Sequence, residues 1–401
     1  YSRVTTLKKQ YEAAGATVVL LDAGDVLHGL PIANLLKGEN IVQILNKVGY
    51  DAFVPGNHDF NYGTDRLLEI AGKKVPNTQA TTFGGKVLSA NYVKTDDKSL
   101  PFDANVVIVR GGKKIGIFGL STSETKTKSH PNNTAGYEFA DNVATATAQR
   151  DALKAQGCDY VIALTHLGLD ESSGNLTSKY LAENVTGLDL IVDGHSHSTL
   201  ANGQLVNGTL IVSSGSYLAN IGVVVLDNAN KTASLVADKT IVEDVETLAL
   251  VNKLKADTET GLAVVVGHTS VDLNGTRNYV RSGETNLGNF ATDAMRVYGE
   301  ADLAFTNGGG IRDNIKKGEI TKKHLVTVFP FGNYVVTKEV SVPVIKQMLE
   351  HGIKGYPSAS GGFPHISGFS FTFDFTRPVG SKVTSITIGD TVAYDNGVYM
   401  P

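Results

Sequence analysis

Ten histidines are spread over 401 residues, and four of them fall just past apolar runs. Leu20-Leu-Asp-Ala-Gly-Asp25 ends in a carboxylate. Asp51-Ala-Phe-Val-Pro55 leads into Gly56-Asn57-His58-Asp59. Ala163-Leu-Thr-His166 ends in an imidazole, and Val192-Asp-Gly-His195-Ser-His197 ends in two. Apolar runs of this length between turn residues read as buried strands. In open α/β sheets, sites form beyond the carboxyl ends of strands. Four strand ends therefore deliver Asp25, Asn57, His58, His166, His195 and His197 to one edge. Each also has a plain structural use. Asp25 suits a helix N-cap, Asn57 a turn, and His166 a hydrogen-bonded core imidazole. His-x-His after a strand and a glycine has few such uses, and the set as a whole predicts a metal site. Imidazole, carboxylate and amide oxygen without thiolate suit Zn, Mn, Fe, Co or Ni and do not choose among them. One Asp can bridge two ions about 3.5–4 Å apart. Asp25, Asn57, His166 and His195 would fill one ion's protein shell, whereas Asp25 and His197 alone are too few for a second.

The elements that position these residues alternate. Val4, Leu7 and Tyr11 have helical spacing, Gly15 ends that helix, and Ala16–Asp22 reads as a buried strand. A helical stretch from Ile32 to Val48 precedes the strand at Asp51. Val106–Val109 and Ile115–Leu120 flank Gly111-Gly112 as a hairpin. Two further strands, Asp159–Thr165 and Leu188–Asp193, are separated by a helix-length segment. Gly203–Val212 turns on Asn207-Gly208, and Ile221–Val236 turns on Asn228–Asn230. The pattern predicts an α/β sandwich with a parallel core and antiparallel additions. The length calls for more than one core. Residues 1–243 form the first predicted domain, 244–262 a linking helix, and 263–401 a second α/β or α+β domain.

Composition excludes several classes. The chain is 41% apolar and 19% charged with a net charge of −4 and no long basic run, which argues against a broad nucleic-acid patch. Cys158 is the only cysteine, so an intramolecular disulfide and a Cys-based zinc site are out. No apolar run reaches the roughly 18–20 residues needed to span a bilayer. The chain opens on a helix without the strand that should precede it and stops just past a turn, so truncation at both ends is expected.

GDVLHG, GNHD, THLG and GHSH, in this order, resemble the calcineurin-like metallophosphoesterases. Arg281-Ser-Gly-Glu-Thr-Asn-Leu-Gly288, Asn307-Gly-Gly-Gly-Ile-Arg312 and Phe329-Pro-Phe-Gly332 narrow the resemblance to the 5′-nucleotidase family. It implies a four-layer α/β-sandwich metallophosphoesterase domain, a connecting helix and a nucleotide-specificity domain. It implies two divalent ions, with zinc or manganese as examples. Asp25 resembles the bridging ligand. Asn57, His166 and His195 resemble ligands of one ion, and His197 a ligand of the other. His58 resembles the histidine that stabilises the transition state, with Asp59 and Asn61 as its supporting neighbours. Arg281, Asn307, Gly309, Arg312 and Phe331 resemble substrate contacts, with Phe331 stacking on the base. Ordinary ion pairs, a plain loop and a core phenylalanine are the alternatives for these. The family's first Asp-x-His motif is absent from the chain, as is the segment carrying the second stacking aromatic.

The activity implied is metal-dependent hydrolysis of nucleoside 5′-monophosphates, at an extracellular, periplasmic or cell-surface location, with attachment outside the sequence shown. Closure between the two domains is expected to accompany it. Hydrolysis of 2′,3′-cyclic nucleotides, UDP-sugars or NAD shares the same motifs, and a non-catalytic nucleotide-binding protein is a third reading. Many relatives carry Asp where this chain has Asn61. An amide orients an imidazole without stabilising its charge as a carboxylate does, so a lower His58 pKa is expected here.

Overall fold

The computed structural model describes residues 1–75, 81–227, 230–237, 239 and 241–400. The chain divides into two compact units, Tyr1–Thr258 and Glu259–Pro401.

In the first unit, six strands lie in the order Gln204–Val206, Thr209–Val212, Leu190–Asp193, Tyr160–His166, Lys113–Ser121 and Asn105–Arg110. The middle four run parallel, and the outer two are antiparallel hairpin partners. Tyr160–His166 is buried at every position. It feeds two cores by alternation. Ile162 and Leu164 join Ile117, Leu190 and Leu210 against Ala52, Val54 and Leu88. Val161 and Ala163 join Phe118 and Leu120 against Ala146 and Leu153 of helix Asn142–Ala155 and Leu181 of helix Ser178–Asn184. A period of two with both faces apolar is what a sheet covered on both sides requires.

Ala52 and Val54 belong to a second sheet, three short parallel strands in the order Leu21–Asp22, Ala52–Phe53 and Lys86–Val87. Its far face carries helix Glu39–Val48 through Ile41, Val42, Leu45 and Val48, with Phe53, Phe60 and Tyr92. The layers are therefore helix, sheet, sheet, helix. The catalytic-type strand ends come from both sheets rather than from the edge of one.

Two predicted elements are shorter than the sequence suggests. Ala16–Asp22 forms only a two-residue ladder, because side chains take the backbone groups before it. Asp51 Oδ2 accepts the Leu20 N–H at 2.9 Å, and Arg110 Nη1 donates to Val18 O at 2.8 Å. Arg110 also forks onto the Asp51 carboxylate, tying the two sheets at the end opposite the strand termini of interest. The stretch Ile32–Val48 is broken into Pro31–Asn34 and Glu39–Val48, because Lys37 and Gly38 both take positive φ (48° and 84°). The Gly111-Gly112 and Asn207-Gly208 turns close their hairpins with positive φ at all four residues. The turn expected at Asn228–Asn230 falls partly outside the described residues, between strands Ile221–Asp227 and Asn230–Val236.

Helix Val245–Glu259 packs on the first unit. Leu254 is buried in its core, and Thr247 Oγ1 lies 3.1 Å from Thr5 Oγ1. In the second unit every strand pairing is antiparallel among the described residues. Val265–Thr269 pairs with Gly318–Thr321, Ala304–Asn307 with Pro364–Ser367, and Phe369–Phe373 opens a four-stranded meander. With helices Asn286–Tyr298 and Val342–Gly352 this unit is α+β.

Candidate functional site

The strand ends of the first unit meet around His166, which is 1% exposed. A Cβ on Gly56 would stand 2.7 Å from His166 Cε1, and one on Gly194 2.9 Å from His166 Nδ1. A Cβ on Gly24 would likewise stand 2.9 Å from Nδ1, and only glycine lets three turns approach one ring this closely. His166 Nδ1 donates to Ala23 O at 2.5 Å, which turns Nε2 towards Asp25 Oδ2, 3.2 Å away. Burial opposes charge on both groups, but their attraction outweighs it. Asp25 is held well below the usual carboxylate range, with His58 assisting, and His166 is lifted to about 9.

Asp25 adopts φ 58° and accepts the His58 N–H on Oδ1 at 2.8 Å. Asn57, the residue between Gly56 and His58, is 2% exposed. Its Oδ1 is buried without a hydrogen-bond partner, and His166 Nε2, also buried, has only the ion-pair contact with Asp25 Oδ2 and no well-directed hydrogen bond. Native interiors rarely leave such atoms unmade, and an unpaired one calls for an explanation such as an ion. An amide oxygen, an imidazole nitrogen and a carboxylate in one buried corner fit a divalent cation. Among the described residues, no three His, Cys, Asp or Glu side chains stand together as a complete cage. His195, with φ 71°, places its ring centroid 5.1 Å from that of His166, and burial lowers its pKa. His197 follows in the same turn with φ 58°.

Of the carboxylates that hold this corner, Asp59 lies in the GNHD motif but holds backbone amides, whereas the sequence does not single out Asp193 or Glu124. Asp59, 1% exposed, accepts the amides of Asp25 (2.7 Å), Leu27 (2.8 Å) and Gly56 (2.8 Å). Burial and the nearby Asp25 charge push its carboxyl up to about 7. Asp193, 3% exposed, accepts Thr165 Oγ1 (2.8 Å) and the amides of Leu167 (2.9 Å) and Gly168 (3.0 Å), binding the His166 turn to the His195 turn. Glu124 accepts His195 Nε2 at 2.8 Å. Burial would raise the Glu124 carboxyl, but the donors His195 and Lys128 hold it at about 2. A carboxylate just past a strand end was the available signal for each, and it is too common to be decisive.

His58 Nδ1 lies 3.3 Å from Asn61 Nδ2, whose Oδ1 accepts Ser129 Oγ at 3.1 Å. Ser129 in turn accepts Asn133 Nδ2 at 2.8 Å. His28, inside the GDVLHG segment, stacks on His58 with centroids 5.8 Å apart and lies 5.5 Å from the Tyr62 ring.

In the second unit three of the five singled-out residues, Arg281, Asn307 and Gly309, stand beside Gly361, and Arg312 and Phe331 face each other next to Gly309. Asn307 Nδ2 donates to Gly361 O at 2.8 Å, and Gly309 N to the same oxygen at 2.9 Å. Arg281 Nη1 is 3.8 Å from where a Gly361 Cβ would sit. Arg312 Nη1 lies 3.3 Å from Gly309 O, and its guanidinium is 5.5 Å from the Phe331 ring centre. His365 is buried and donates from Nε2 to Val280 O at 2.8 Å, fixing the backbone beside Arg281.

Comparison with known proteins agrees with this division. Residues 1–199 match the family of calcineurin-like phosphoesterases, and residues 265–399 match the 5′-nucleotidase C-terminal domain. The two-sheet unit is therefore a metallophosphoesterase domain, joined to a 5′-nucleotidase C-terminal domain. The chain is 31% identical over 432 residues to the 5′-nucleotidase of Diplobatis ommata, covering 96% of this chain and 71% of that protein. It is 30% identical to the trifunctional nucleotide phosphoesterase protein YfkN of Bacillus subtilis (strain 168), covering 94% of this chain but only 28% of that much longer protein. The crystal structure of a 5′-nucleotidase precursor from Thermus thermophilus superposes with a TM-score of 0.81 at 28% identity, over 100% of this chain and 80% of that one. The chain belongs to the 5′-nucleotidase family, a family of phosphoric monoester hydrolases.

Proposed function

We propose that this protein hydrolyses nucleoside 5′-monophosphates to nucleoside and phosphate with divalent metal ions held at the strand ends of residues 1–243. Asp25, Asn57, His166 and His195 would hold one ion, and His197 with Asp25 would serve a second. The observation that carries the reading is the buried Asn57 Oδ1, which has no hydrogen-bond partner, in one corner with His166 Nε2 and the Asp25 carboxylate it faces at 3.2 Å. Bound divalent ions supply an activated water near neutral pH and positive charge for the phosphoryl oxygens.

The chain's own groups do the rest. His58 is aimed by its backbone bond to Asp25 and by Asn61. With the Asn61 oxygen taken by Ser129, the amide N–H faces Nδ1, so the His58 proton sits on Nε2 and can be given to the leaving ribose oxygen. In residues 263–401, Phe331 offers a stacking face for the base. Arg281 and Arg312 offer planar forks for carboxylate- or phosphate-like groups, while Asn307 and Gly309 present polar backbone and amide edges. The helix within residues 244–262 connects the two parts.

Phosphate release from AMP with added manganese or zinc tests the reading. Chelation and His195→Ala should each abolish it, and activity surviving both would refute it. A second reading has support of its own. Asn61 replaces the acid common in the family, and one relative of 30% identity is described as trifunctional. Cyclic nucleotides or nucleotide pyrophosphates are then the preferred substrates, and side-by-side turnover of AMP, 2′,3′-cyclic CMP and UDP-glucose decides. Export or surface location belongs to the same proposal and is checked by cell fractionation. No described helix is long and apolar enough to cross a membrane.

A further inference from the structure

The two nitrogens of His195 are not equivalent. Nε2 lies 2.8 Å from Glu124 Oε2, and a carboxylate can only accept, so the imidazole donates from Nε2. The same oxygen receives Lys128 Nζ at 2.9 Å and Ser173 Oγ at 3.1 Å. Lys128 Nζ also stands 3.2 Å from Nε2. An ammonium has no acceptor capacity, so lysine and imidazole are two donors sharing one oxygen. The adjoining Cδ2 edge of the ring is covered as well, because Gly168 approaches so closely that a Cβ on it would sit 3.3 Å from His195 Cδ2. What is left is Nδ1, the nitrogen without the proton.

Glu124 itself is held firmly. It follows strand Lys113–Ser121, whose last residue is in parallel register with His166. Thr122 Oγ1 accepts the Glu124 N–H at 3.2 Å, and Thr125 Oγ1 donates to Thr122 O at 2.6 Å. Three donors from three segments then fix the carboxylate. A further strand end thus contributes to the corner without contributing a ligand.

We propose that Glu124 is the positioning residue of His195, fixing its Nε2–H tautomer and presenting the Nδ1 lone pair as the metal-binding atom. Outer carboxylates of this kind orient ligand imidazoles and raise their basicity. The inference rests on the metal-site reading of the strand ends, and its test separates the two.

Two measurements on the full chain suffice. The first is the tautomer of His195 in metal-free protein, read from two-bond proton–nitrogen spectra of histidine-labelled samples. The wild type should show the Nε2–H form, and Glu124→Ala a mixture. The second is Co(II) affinity, from visible absorption with chelator competition. Glu124→Ala should bind about 10- to 100-fold more weakly. Glu124→Gln should keep the tautomer and most of the affinity, because its oxygen still faces Lys128 and Nε2. A wild-type Nδ1–H form would overturn the proposal. So would a Glu124→Ala affinity within about twofold of wild type while His195→Ala is clearly weakened. If His195→Ala and wild type bind Co(II) equally, the metal reading itself falls, and the tautomer spectra show separately whether Glu124 orients the ring. Should Glu124→Ala fail to fold in a thermal melt, the wild-type tautomer and the Glu124→Gln affinity still decide.

Discussion

The two functional regions of this molecule are held together by different means. The strand-end corner of the first unit is wired by buried carboxylates. Asp59, Asp193 and Glu124 each receive three donors, and the first two are almost wholly inaccessible. The cluster around Gly361 in the second unit uses backbone instead. Its bonds run from Asn307, Gly309 and Arg312 to peptide oxygens, and Asn307 is exposed. A site that must hold charged groups in low dielectric needs every lone pair and proton assigned, since each lapse is expensive. A site that admits a large planar ligand needs close backbone approach and open faces. The first should therefore fail by unfolding when disturbed, and the second by losing affinity while the fold stands.

Asp193→Ala should break the contrast open most visibly. It strands the amides of Leu167 and Gly168 in the interior, and a loss of about 2–4 kcal/mol in denaturant unfolding is expected, together with metal affinity. Asp59→Asn keeps the shape but offers one full acceptor oxygen to three amides, and should cost about 1–3 kcal/mol in the same measurement. In the second unit, Phe331→Ala should raise the KM for a nucleotide by about 5- to 100-fold with the melting temperature unchanged. Gly309→Ala would set a Cβ 2.9 Å from Gly361 O and 3.0 Å from Asn307 Nδ2. The backbone there must shift to admit it, so KM should rise by a smaller factor and stability should fall, by less than in Asp193→Ala. Loss of stability from either second-unit variant comparable to that of Asp193→Ala would erase the distinction.

The smallest effect serves as the control, at a partly buried carboxylate away from both sites. Asp244 starts helix Val245–Glu259 by accepting the Thr247 N–H at 2.9 Å, and it pairs with Lys9. Lys9 and Thr247 hold its carboxyl well below the usual range. A lowered folded pKa contributes stability above the unfolded value and loses it as pH falls through the folded one. The stability difference between wild type and Asp244→Asn should be slight at neutral pH and shrink below about pH 4. Melts of both proteins across that range check it.

The sequence made the strand ends legible because apolar runs stop abruptly at residues that do not belong in a core. Tyr160–His166 and Leu190–Asp193 are cases where burial on both faces leaves an unbroken signal. The glycine-bearing hairpin turns were legible for the same local reason. What was not legible depends on partners far along the chain. The strand before Asp22 is cut short by Asp51 and Arg110, and nothing near it announces that. Lys37 and Gly38 break a helix whose apolar pattern runs on regardless. Glu124 and Asp193 look like any acid beside a strand until the turns they serve are folded next to them. His28 and His365 were set aside because a lone histidine has no spacing to read. Their partners, the His58 ring and the Val280 carbonyl, are supplied only by the fold.

The three amides on Asp59 have a mechanical meaning. One carboxylate is the common bearing for the turn that carries Asp25 and the turn that carries Asn57. Those two oxygen donors are therefore geared to each other and shift as a pair. The imidazoles of His166 and His195 ride on the other sheet, on a bearing of their own at Asp193. A cation slightly larger or smaller would be met by slippage between these two halves rather than by distortion within either. On the proposed metal reading, tolerance for different metals would then depend on how the two sheets fit together, and substitutions in the apolar layer between them, at Ile162 or Leu88, should tune it from a distance.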